Sequence, residues 1–98
     1  MPRLIYAPRA LADLVRLRKY LHARNPEAAK RAMVAIKTAI KSIEIQPDRF
    51  RPALDMIGYR ELIIDFGANG YVARFQQRAG DEILIARIRH QLENDYPN

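Results

Sequence analysis

The chain contains no cysteine, which excludes thiolate chemistry and the disulfide framework of a small secreted scaffold. It also lacks any apolar run close to the roughly 18 residues of a membrane span. Its opening stretch, MPRLIYAPRALADL, sets charges too near a short apolar run for a signal peptide. These absences predict a cytoplasmic protein with no membrane contact. Histidine is scarce: His22 and His90 stand at no spacing that suits a metal ion. A glycine-rich phosphate cradle is missing too, because Gly67-Ala68-Asn69-Gly70 falls between two predicted strands and reads as a hairpin turn. Neither a metal nor a cofactor is expected, and no internal repeat or low-complexity segment occurs.

What the sequence does have is positive charge. Seventeen Lys and Arg against eleven Asp and Glu give a net +6 and a pI near 10.1, so the surface favours an anionic partner. Nucleic acid, an acidic protein or a membrane surface would each answer to that charge. With 98 residues, 49% apolar and 29% charged, the composition is that of one globular domain, residues 1–98.

The period of the apolar residues divides the chain. Arg3 to Tyr6 is a short strand closed by Pro8. From Pro8 the spacing of Ala10, Leu14, Leu17 and Leu21 is helical, with Leu11 widening the stripe and Arg9, Asp13, Arg16 and Lys19 outside it. That helix ends near Ala23. Asn25-Pro26-Glu27 starts a second one, since Asn caps well, Pro suits the first helical position and Glu suits the positive end of the helix dipole. Its stripe is Ala29, Met33, Ile36, Ile40 and Ile43. So short a linker forces an antiparallel helical hairpin.

Residues 47–58, with two prolines and a glycine, read as a loop containing at most one helical turn. Strands follow at 59–66, 71–77 and 82–90, joined by turns at 67–70 and 78–81. The predicted fold is α+β, in the order β-α-α-β-β-β: an antiparallel sheet with the N-terminal helical hairpin on one face. In the last strand, alternation puts Leu84, Ala86 and Ile88 under the helices and Ile83, Ile85, Arg87 and Arg89 on the open face.

Arg60, Arg74, Arg87, Arg89 and His90 come from different strands that an antiparallel sheet draws together, so they form a candidate basic binding face for phosphates or an acidic peptide. The competing reading is a scatter of solvated arginines on a basic protein. Tyr96 either stacks or donates a proton, or it pins the C-terminus to the core. Glu61 and Asp65 share a strand face and read as solvated rather than catalytic. On the first helix, Leu11, Leu14 and Val15 offer an apolar surface that is either core or the groove for a partner peptide.

The stretches APRALADLVRLRKYL, NPEAA, GYREL, FGANGYVARF and EILIARIRHQLENDY, in that order, resemble the RelE/ParE superfamily of type II toxin–antitoxin toxins, the plasmid-stabilisation proteins. The resemblance implies neutralisation by an acidic, partly disordered antitoxin. It also implies one of two actions: inhibition of DNA gyrase, as in the ParE-like branch, or cleavage of mRNA in the ribosomal A site, as in the RelE-like branch. For the nuclease it implies an arginine directly after the Gly-Tyr of the central hairpin, where this chain has Val72, and lysines on the preceding strand, where YRELIIDF has none. If the chain were a nuclease, Arg87, Arg89, His90 and Tyr96 would carry the chemistry. Loss of the central charges and the GYREL and IRHQ segments favour the ParE-like side, a toxin that acts by binding, with gyrase the expected target.

Overall fold

The computed structural model describes residues 2–97. Strand β1 (Arg3–Tyr6) leads into helix α1 (Pro8–His22), and a three-residue connection leads to helix α2 (Pro26–Lys41). Two short 3-10 turns, Ser42–Glu44 and Pro47–Arg49, precede strands β2 (Arg51–Pro52), β3 (Arg60–Phe66), β4 (Asn69–Arg78) and β5 (Glu82–His90). The five strands form one mixed sheet in the order β1-β5-β4-β3-β2.

The strand arrangement departs from the sequence expectation in two ways. First, β1 pairs with β5 in parallel, so the sheet is antiparallel only from β5 to β2. Its place at the edge follows from the helical hairpin, which carries the chain across the sheet before β3 begins. Second, the Pro-containing loop contributes the two-residue strand β2, held against Arg60 and Glu61. So brief a segment has no period to read.

The helices start as expected. Asn25 accepts a hydrogen bond from the Ala28 N–H through its side chain, satisfying one of the amides that a helix N-terminus leaves unbonded. The apolar stripes of α1 and α2 meet one face of the sheet. There Ala10, Leu14, Leu17, Ala32, Ile36, Ile40 and Ile43 pack on Leu62, Ile64, Tyr71, Ala73, Phe75, Ile83, Ile85 and Ile88. Phe50 closes one end of the core edge-on to Phe75, ring centroids 5.7 Å apart.

β5 contains a bulge. Arg74 pairs with Arg87 but Phe75 pairs with Ile85, so Ala86 is the extra residue. A bulge inserts one residue and reverses the alternation on either side of it. The residues under the helices are therefore Ile83, Ile85 and Ile88, all buried. Leu84 and Ala86, expected there by simple alternation, are only half-buried. Because of the same extra residue, Ile85 and Ile88 lie under the helices while Arg87 does not.

Candidate functional site

Directly paired residues of an antiparallel sheet share a face, so the register assigns each candidate. Glu61, Arg74 and Arg87 form one row across the sheet, and Ile63, Val72 and Arg89 form the next, on the face opposite the helices. Arg60 lies in the row of Phe75 and Ile85, and His90 in that of Ile64 and Tyr71, both on the helix side. Of the five residues grouped from the sequence as a basic face, the fold brings together Arg74, Arg87 and Arg89. It places Arg60 and His90 on the other side.

Each residue then has its own chemistry. Arg60 donates to the Phe50 carbonyl at 2.7 Å and ties the loop to the sheet. His90 packs edge-on against Tyr71 at 5.3 Å, and its Nδ1 accepts from the Leu92 N–H at 3.1 Å, which leaves the ring proton on Nε2. It helps to line an apolar cleft of about 440 Å³ with Leu17, Tyr20, Leu21, Phe66 and Tyr71.

Tyr96 is the centre of the opposite face. The chain turns back after β5 and lays this ring beside three guanidinium groups, whose central carbons lie 4.7 Å (Arg74), 5.3 Å (Arg87) and 5.4 Å (Arg89) from its centroid. The phenol donates to Glu61 at 3.4 Å. Burial, aided by the Glu61 carboxylate and opposed by Arg74 and Arg89, pushes its pKa up to about 12. At neutral pH Tyr96 is a protonated ring that stacks and donates, and it is no base.

The arginines are held by Asp55, by Glu61, which reads from the sequence as solvated, and by Asp13, which reads as outside the helical stripe. Arg74, whose side chain is more than nine-tenths buried, bonds Asp55 at 2.6 Å and Glu61 at 3.2 Å. Arg87 grips Asp13 of α1 through two bonds, 2.9 and 3.1 Å. Asp13 is itself 3% exposed and accepts also from the Ile88 N–H at 2.8 Å and from Arg16. Beyond Ile85 the pairing of β5 with β1 stops, and Asp13 and Arg16 bond the Ile88 N–H and C=O where a further strand would have done so. Burial would raise the Asp13 pKa, but the hydrogen bonds from Arg87, Ile88 and Arg16 outweigh it and hold the carboxyl below the usual carboxylate range. A sequence signal for this existed: Asp13 sits three residues after Ala10 and four before Leu17, in line with a core stripe, where an acid requires a buried partner.

On α1, Leu14 is core at 8% exposure, whereas Leu11 (51%) and Val15 (45%) face outward one turn apart. The proposed partner groove therefore loses Leu14. Among the described residues no three His, Asp or Glu side chains stand together as metal ligands, and no helix is long and apolar enough to cross a membrane.

A helical hairpin backed by a mixed sheet, with an arginine-lined face on the far side, defines a small α+β domain. The chain belongs to the ParE toxin family of type II toxin–antitoxin systems, whose model matches residues 4–95. It is 41% identical over 86 residues to toxin RelE3 of Caulobacter vibrioides, covering 88% of this chain and 90% of that one. With toxin RelE2 of the same organism it is 37% identical over 90 residues, covering 92% and 96%. A solved chain of the chromosomal ParDE system from P. aeruginosa superposes with a TM-score of 0.79 at 27% identity, covering 92% of this chain and 96% of that one. The protein is thus a type II toxin of the ParE/RelE superfamily, and membership implies a cognate antitoxin.

Proposed function

We propose that this toxin acts by binding DNA gyrase rather than by cutting RNA, and that an acidic, partly disordered antitoxin neutralises it in the cytoplasm. The observation that carries this reading is the division of the would-be nuclease residues between two faces. His90 lies on the helix side with Nδ1 already bonded, while Arg87, Arg89 and Tyr96 lie on the other. In-line cleavage by a 2′-hydroxyl needs a base, an acid and positive charge around a single phosphate. With Val72 at the centre of the sheet and Arg74 and Arg87 engaged by carboxylates, that convergence has no support here. The antitoxin reading draws on the net +6 charge and on the outward Leu11 and Val15 of α1, which suit an amphipathic acidic segment.

The alternative, ribosome-dependent mRNA cleavage, takes its support from the names of the Caulobacter relatives. Purified protein added to a gyrase supercoiling reaction and, separately, to a programmed ribosome decides between them. Supercoiling should stop and mRNA should stay intact. Cleavage in the A site with supercoiling unaffected would reverse the assignment.

A further inference from the structure

The seven residues after β5 do not behave as an ordinary tail. None of Gln91 to Pro97 is buried, and Leu92, the one aliphatic side chain among them, is 70% exposed. The segment is therefore not part of the apolar core, and Tyr96 and Pro97 are only half-buried. Arginine holds it down: Arg89 donates to the carbonyls of Gln91 and Glu93, Arg87 donates to that of Pro97, and Arg74, Arg87 and Arg89 all stand against the Tyr96 ring. This is how a basic groove takes a bound peptide: main-chain oxygens on guanidinium groups and one aromatic anchor.

The fit is incomplete in two places. Among the described residues the Nε of Arg74, buried beneath the segment, finds no hydrogen-bond acceptor. Beside Tyr96 a cleft of about 360 Å³ stays open toward Pro52 and Leu54, with Arg74 and Arg89 in its wall. A longer or better-matched chain has both an unmet donor and space to exploit.

The geometry points to a peptide-binding site on the helix-free face, occupied in the free toxin by its own C-terminal segment and open to an extended peptide that carries an aromatic residue. Nucleic acid fits it less well, because Asp55 and Glu61 alternate with the arginines and would repel a run of phosphates, whereas uncharged peptide carbonyls meet no such penalty. The internal segment competes at the high effective concentration of a short tether, so it screens the site against weak ligands.

The test uses the full chain and a fluorescein-labelled peptide LENDYPN, the sequence of residues 92–98, followed by anisotropy at low salt. Wild type should bind it weakly. Tyr96→Ala, which removes the internal anchor, should bind at least ~10-fold more tightly, and replacing the tyrosine of the probe by alanine should abolish that gain. Equal affinity of wild type and variant, with unchanged circular dichroism, would overturn the proposal. So would a larger gain for a single-stranded RNA oligonucleotide than for the peptide. Should Tyr96→Ala fold poorly, nuclear magnetic resonance of the wild type serves instead: saturating unlabelled peptide should shift the Tyr96 ring signals, and unmoved signals would refute the site. Neither readout involves gyrase, so it stands or falls apart from the target assignment.

Discussion

At the scale of single residues, Asp13 joins the helix layer to the sheet. It is buried, carries a charge, and receives Arg87, Arg16 and the Ile88 amide. Removing one partner of a buried pair leaves the other charge uncompensated, so Asp13→Asn should cost about 3 kcal/mol in urea unfolding. The same carboxyl should set the acid limb of stability. Its folded pKa lies below the unfolded value, so its contribution is complete above about pH 4 and disappears as pH falls through the folded value. Asp13→Asn should flatten that limb in an unfolding series from pH 5 to 2. Tyr96 shows the other side of residue-scale reading. The sequence leaves open proton donation, stacking or a tether, and in the fold its ring lies beside three arginines while its phenol donates a hydrogen bond to Glu61, which ties the C-terminal segment to the sheet.

At the scale of elements, the turn and the bulge do the positioning. Gly70 follows the Gly67-Ala68 turn with φ +137°, and a Cβ there would stand 1.9 Å from the Ile64 carbonyl oxygen and 3.0 Å from the Phe66 nitrogen. Both are backbone atoms of the partner strand and cannot rotate away. Gly70→Ala should therefore prevent soluble expression or cost at least ~3 kcal/mol. Gly67, at φ +61° with nothing within 4 Å, is ordinary left-handed backbone, and Gly67→Asn should change stability by less than ~1 kcal/mol. Deleting Ala86 should be far worse than replacing it by Ser, because loss of the bulge turns either Ile83 and Ile85 or Ile88 away from the helices. Thermal melts of the two variants make the comparison. The order of helices and hairpins, with boundaries mostly within a residue or two, was legible because amphipathic period and Pro, Asn and Gly punctuation are local signals. The bulge was not, since Ala86 looks like any other strand residue.

At the scale of the whole molecule, two surfaces remain distinct: a helix side with Leu11, Val15 and the cleft beside His90, and a far side with the arginines and the C-terminal segment. Between them the loop at 53–58 exposes Leu54 and Ile57 completely. As neither makes a core contact, Leu54→Ser and Ile57→Ser should each leave unfolding free energy within ~0.5 kcal/mol. Binding of the antitoxin to the folded toxin alone should raise its melting temperature in proportion to the logarithm of antitoxin concentration. A melt series at increasing antitoxin concentration measures this.

The sequence by itself determined the two helices and four of the five strands, their order, the α+β class and the family, because each rests on spacings a few residues long and on motifs read in line. Only the tertiary structure decided which arginines meet. Alternation within β5 already sets Arg87 and Arg89 on one face, but whether Arg60, Arg74 and His90 join them is fixed by the pairing register, which brings Arg74 in and leaves Arg60 and His90 on the other face. Face assignment depends on counting residues between strands that lie far apart in the chain. One extra residue, Ala86, brings Ile83 and Ile85 under the helices in place of Leu84 and Ala86, and only the folded sheet contains that count.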